Sequence, residues 1–130
     1  MIDWRRDFSH NVAETTTAAR DPLLRPLVVP MPLVEAAEIV RHGVAELARW
    51  EIAEARIDTT RAVLACVRVT RWLRFRDDIT IEIQPVEGGS RVTATSRSRV
   101  GKGDLGQNPR NLRELMRALK RRIAKIEHAR

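Results

Sequence analysis

An α+β fold follows from three features of this 130-residue chain: a four-stranded antiparallel meander carrying two helices on one face, behind an extended N-terminal arm. Helical periodicity is confined to two segments, four alternating segments lie between them, and four prolines crowd into residues 22 to 32. The order arm, helix, strands, helix contains no β-α-β alternation, so the helices segregate to one face of an antiparallel sheet. A chain of 130 residues suits one core. The expected division is therefore an extended wrapping arm over residues 1–32 and a single α+β domain over residues 33–130.

The arm is expected to be extended because Pro22, Pro26, Pro30 and Pro32 each fix φ and bias the preceding residue away from helix. Trp4 and Phe8 are its anchors. From Leu33 the period changes. Leu33, Ala37, Val40, Val44 and Leu47 fall on one helical face, with Glu35, Glu38, His42, Glu46 and Arg49 opposite, which predicts a first helix over about residues 32–48 with Pro32 at its first position. Strands are predicted over 50–58, 62–70, 78–86 and 90–100, the first being the weakest in pattern. DTTR after the first and VEGG before Ser90 supply the turns. Asn108 before Pro109 reads as a helix start, an asparagine oxygen for the free N–H groups and a proline that lacks one. Leu112, Leu115, Met116, Leu119, Ile123 and Ile126 then form the apolar stripe of the last helix, with basic residues over the rest of its surface.

Hydrophobic residues at 43% and charged residues at 32% describe a folding globular chain rather than a disordered one. The net charge of +7 makes phosphate-bearing partners an electrostatic option, and arginine predominates over the three lysines, which suits planar anions. Cys66 is the single cysteine, so no intrachain disulfide forms, and within a strand-like apolar run it reads as a small buried hydrophobe. His10, His42 and His128 are far apart, and neither a metal nor any other cofactor is expected. The first residues lack the apolar core of a signal peptide, and the longest apolar run, residues 27–34, contains two prolines and is too short to cross a bilayer. The expected location is cytoplasmic.

Pairing parity organises residues 75–108. If Ile79, Ile81 and Ile83 share a face with Val92 and Ala94, the VEGG loop sets Ile83 opposite Val92, Ile79 opposite Ser96, Asp78 opposite Arg97 and Asp77 opposite Ser98. Asp78, Arg97 and Arg99 then lie on the polar face, and Asp77, Ser96 and Ser98 on the core side. A carboxylate there requires donors, for which Ser98 and the glycine-containing loop VGKGDLGQ, with Gly101, Gly103 and Gly106, are the expected partners. Two readings follow. In one, Asp77 and Asp78 are structural clamps, capped by the loop and paired across the strands with Arg97. In the other, Arg97, Arg99 and Lys102 with the loop N–H groups bind an anion, assisted by the helix start at Asn108.

TRWLRFR, residues 70–76, interleaves arginines with Trp72 and Phe75, a composition found on single-strand-binding surfaces, although the parity of Phe75 places it with the core. GKGDLG matches a GxGxxG spacing, but no strand follows the last helix, so the β-α-β unit of a dinucleotide site is missing. No nucleophile, base and orienting residue stand in order, and no enzymatic activity is expected.

RFRDDITIEI followed by SRSRVGKGDLGQNPRNLREL resembles the signature of the domain of unknown function 1499 family, and DFSHNVAETT with DPLLRPL is similar to that family's N-terminal arm. The resemblance falls on Phe75, Asp77, Asp78, Ser96, Arg97, Ser98, Arg99, Gly101, Asp104, Leu105, Gly106 and Asn108. Pro109 departs from it, since an arginine or small residue is usual there, and the arm lacks the cysteine-proline start and leader of many members. The resemblance implies a small α+β domain without an established activity. The leading expectation is a non-enzymatic domain binding an anionic small molecule or an acidic partner group at Arg97, Arg99, Lys102 and Asn108. A basic nucleic-acid or anionic-membrane surface module and a purely structural or assembly domain are the alternatives. Phe75, Asp77, Asp78, Ser96, Ser98, Gly101, Asp104 and Gly106 form the structural part of the motif.

Overall fold

A computed structural model describes residues 12–70, 74–99 and 107–129. Its elements are β1 (Val12–Glu14), a 3-10 turn (Pro22–Leu24), β2 (Leu27–Val29), α1 (Leu33–Ala45), β3 (Trp50–Ile57), β4 (Ala62–Val69), β5 (Arg76–Val86), β6 (Gly89–Ser98) and α2 (Gln107–Ala129). Strands β3 to β6 form the expected antiparallel meander, and both helices pack on one face of it.

The sheet has six strands rather than four. The arm supplies the other two: β1 pairs with residues 95–97 of β6 and β2 with residues 90–92. A meander alone would leave that long edge of β6 with unpaired N–H and C=O groups, which the arm covers. Its prolines delimit β2 without entering it, since Pro26 and Pro30 flank that strand. Asp21 accepts from Leu23 N (2.9 Å) to open the 3-10 turn, and it receives Arg113 Nε of α2 (2.6 Å). The Ser90 hydroxyl donates to Met31 O (2.7 Å) where β2 leads into α1.

The register of β5 on β6 is the one that parity required: Ile83 opposite Val92, Ile79 opposite Ser96, Asp78 opposite Arg97 and Asp77 opposite Ser98. The core therefore takes Ile79, Ile81 and Ile83 from β5, Val92 and Ala94 from β6, and Ala62, Leu64 and Cys66 from β4. Leu112, Leu115, Met116, Leu119 and Ile123 of α2 close over them, while Ile126 is only half-buried. Gly43 lets α1 approach α2, where an added Cβ would stand 2.9 Å from Leu119 Cδ2.

Helix α1 is shorter than its periodicity suggests. Pro32 is its N-cap rather than its first residue, and the helix stops at Ala45, where Arg49 at φ 68° turns the chain into β3. Helix α2 begins at Gln107, so Asn108 lies within the first turn. Among the described residues no helix is long and apolar enough to cross a membrane.

Candidate functional site

Parity divides the motif between two faces of the sheet. On the core side, β6 presents Ser96 and Ser98, β5 presents Asp77, and the first turns of α2 present Asn108 and Asn111, which the i, i+3, i+4 spacing sets on the same stripe as Leu112 and Leu115. Asp77 is 1% exposed and Asn111 fully buried. Asn111 Nδ2 donates to Asp77 Oδ2 (2.8 Å) and to Ser96 Oγ (3.1 Å), while its Oδ1 accepts from Gln107 Nε2 (2.7 Å). Ser96 Oγ donates to Asn108 Oδ1 (2.8 Å), and Asn108 Nδ2 donates to Ser98 Oγ (2.9 Å). Two amides and two hydroxyls thereby stitch the start of α2 to β6 and β5. A buried polar group without a partner costs about 1–3 kcal/mol, so the network holds the helix at one register on the sheet.

Two expectations change here. Asn108 turns its amide to Ser96 and Ser98, so it belongs to the buried network and not to an exposed anion site. Asp77 takes a hydrogen bond from Asn111, a residue not among the expected partners; the place of Asn111 between Asn108 and Leu115 on the buried stripe is the signal that points to it.

On the open face, the lower ends of β5 and β6 bring together Arg76, Asp78, Arg97 and Arg99. Arg99 N donates to Arg76 O (3.1 Å), which places those two arginines opposite each other one step beyond the Asp77–Ser98 pair. Asp78 does not pair with Arg97, its direct neighbour across the strands. Its carboxylate instead accepts from Arg99 Nε (2.9 Å) and from a terminal Arg99 nitrogen (2.8 Å). The long arginine side chain spans the diagonal, two residues beyond the direct partner. Both groups are 45% exposed, so solvent screens the pair and it adds little to the stability of the fold. Hydrogen bonding to Asp78 holds the Arg99 guanidinium above its ordinary pKa. Arg76 and Arg97 are exposed and make no ion pair among the described residues. Further along the face lies a hollow of about 320 Å³ lined by Thr80, Thr93 and Thr95, with Glu14 and Glu82 at its sides.

Phe75 is half-buried rather than part of the core, and its backbone and the Thr70 hydroxyl close the β4–β5 connection: Phe75 N donates to Thr70 Oγ1 (2.8 Å) and Thr70 N to Phe75 O (2.8 Å). Trp72, Gly101, Lys102, Asp104 and Gly106 lie outside the described residues, as do Trp4 and Phe8. Cys66 is 2% exposed, and burial pushes its thiol up to about 12. A second polar anchor of α2 is Glu114, whose carboxylate accepts from Trp50 Nε1 of β3 and from Arg68 Nε of β4 (3.0 Å). No group of three or more histidine, cysteine, aspartate or glutamate side chains able to hold a metal lies together among the described residues.

Comparison with known families matches the chain over residues 7–119 to a model described as "Protein of unknown function (DUF1499)". The chain belongs to the DUF1499 family. The matched span runs from the arm through β6 to Leu119 of α2, and so includes both faces of the motif. No curated protein matches this DUF1499 chain. Among solved structures, TTHA0849 from Thermus thermophilus aligns at 14% identity with a TM-score of 0.41, over 88% of this chain and 98% of that one. Ara h 8.0201 aligns at 10% identity with a TM-score of 0.40, over 88% and 97%.

Proposed function

We propose that this DUF1499 domain is a non-enzymatic binding module. It takes an anionic small molecule, or an acidic group of a partner, on the open sheet face at Arg97 and Arg99, with Arg76 as a third cation. The observation that carries this reading is the charge count at the end of β5 and β6, where three exposed guanidinium groups gather around the single carboxylate of Asp78, which pairs with Arg99 and leaves Arg76 and Arg97 without an ion pair among the described residues. Arg76 stands opposite Arg99, and like charges directly opposite each other destabilise a sheet. A bound carboxylate or phosphate would offset that repulsion with paired N–H donors, which suit arginine better than lysine. Lys102 stays in the proposal as a further donor from the loop. Asn108 leaves it, because its amide is engaged with Ser96 and Ser98. The flanking hollow carries Glu14 and Glu82, which confines an anion to the arginine end.

The core-side half of the motif, Asp77, Ser96, Ser98, Asn108 and Asn111, acts as a folding clamp in this reading. It sets β6 and the start of α2, and through them the position of Arg97 and Arg99. The thiol of Cys66, buried and pushed up in pKa, makes a poor nucleophile and takes no part in this reading.

The test is thermal unfolding in inorganic phosphate, pyrophosphate or citrate against sodium chloride of equal ionic strength. A ligand at about one hundred times its Kd stabilises by about 2.7 kcal/mol, a readily measured rise in Tm. Arg97→Ala should keep the wild-type Tm without anion and lose the rise. Arg99→Ala should lose the rise and also lower the baseline slightly, because Asp78 loses its partner. No rise with any of the three anions, or an equal rise in Arg97→Ala, would sink the proposal.

A further inference from the structure

We infer that the outward face of α2 is a second, separate binding surface, for the phosphate backbone of a nucleic-acid strand. The helix buries its apolar stripe in the core, so its opposite side points away from the sheet and from the arginine end of the open face. Two shallow hollows, about 440 and 260 Å³, adjoin along this helix and share Leu47 and Arg121. They form one groove beside the end of α1.

Arg113, Arg117, Arg121 and Lys125 recur every four residues along it. Successive members rise about 6 Å along the axis, in a row of cations that an extended phosphate backbone can follow. Like charges at this spacing destabilise a helix, so the row is costly to the fold unless an anion lies along it.

The acids of the groove are already engaged. Glu114, the single acid of residues 107–126, accepts from Trp50 and Arg68, and Glu46 pairs with Arg122 (2.8 Å). Arg113 is held by Asp21 (2.6 Å). Arg117, Arg121 and Lys125 are exposed and make no ion pair among the described residues.

The occupant follows from this chemistry. An anionic membrane surface would favour apolar side chains on the docking face. The exposed large hydrophobic side chains among the described residues are instead Val28 on β2 and Val34 at the start of α1. The helix has no aromatic residue to stack on a base, so contact is through phosphates and independent of sequence.

The experiment is fluorescence anisotropy of a labelled oligothymidine with the full-length chain over a salt series. Three neutralised phosphates give a log–log slope of about −2, so a fourfold rise in salt weakens binding about 20-fold. In the variant Arg117→Gln/Arg121→Gln/Lys125→Gln, binding and its salt dependence should vanish while Tm stays at or above the wild-type value. Arg97→Ala should bind the oligonucleotide like wild type, which separates this surface from the anion site of the open face. A labelled duplex bound with the same dependence on the three cations supports the same backbone contact. The inference is overturned by no binding at the lowest salt, by a triple variant with an unchanged slope, or by binding to phosphatidylserine vesicles with the oligonucleotide inert.

Discussion

Replacing Asn111 by leucine tests whether the buried network sets the position of α2. Leucine is close in size, so the substitution removes hydrogen bonds more than volume. Three are lost: the donations to Asp77 (2.8 Å) and Ser96 (3.1 Å) and the acceptance from Gln107 (2.7 Å). The donation to a carboxylate is worth about 1.5–3 kcal/mol, and a neutral buried bond about 1 kcal/mol. Asp77 keeps a further interaction, so only one of its contacts is lost. Together these give a loss of about 4 kcal/mol. For a domain of this size 1 kcal/mol moves Tm by roughly 4 °C, so the midpoint should fall by roughly 16 °C. Urea unfolding monitored by circular dichroism gives the free energy directly. Asp77→Asn removes the charge that Asn111 serves, so the double variant should cost less than the two single variants added, with a coupling of about 1–2 kcal/mol. A loss under about 0.5 kcal/mol, or additive costs, would show that the network does not act as a unit.

Three further outcomes follow from other contacts. Gly89 has φ 157°, and a Cβ there would stand 2.0 Å from Val29 O, so Gly89→Ala should displace β2, cost about 3 kcal/mol and expose the amides of residues 27–29 to hydrogen exchange. Protected amides at β2 in that variant would refute the close approach. The hydrogen bond from Arg113, with that from Leu23 N, lowers the pKa of Asp21 below 3.8. A lowered carboxylate adds stability that is present above its unfolded pKa and lost as pH falls through the folded one. Asp21→Asn should therefore be destabilised at neutral pH and should converge with wild type in acid; a deficit independent of pH would contradict the ion pair. Cys66, buried and with its thiol pushed up to about 12, should react with a thiol reagent only as fast as the chain unfolds. Labelling that outpaces unfolding would mean the strand opens locally.

Much of the fold was legible because strand alternation and loop length together leave one register. Ile79, Ile81 and Ile83 had to share a face with Val92 and Ala94, and every β5–β6 partner down to Asp77 and Ser98 follows from that choice. The same counting, taken one residue further, places Arg76 beside Arg99, although within TRWLRFR it reads as part of a basic and aromatic run. The two arm strands were not legible. Strands of three residues carry little periodicity, and they pair because β6 has an open edge in the finished sheet. Asn108 was misplaced for a related reason: a helix-start residue and a buried amide look alike until the angle between helix and sheet is known.

By itself the sequence determined the two helices and the four meander strands, which face of each is apolar, and hence that Asp77 points inward while Arg97 and Arg99 point outward. These follow from covalent periodicities of 3.6 and 2 residues, which act within a few residues of chain. Only the tertiary structure decided that Asn111 serves Asp77, that Arg99 and not Arg97 takes Asp78, and that the arm closes the edge of β6. Those choices are made between groups distant in sequence, by side-chain reach and by the packing of α2 across the sheet, and no local pattern encodes either.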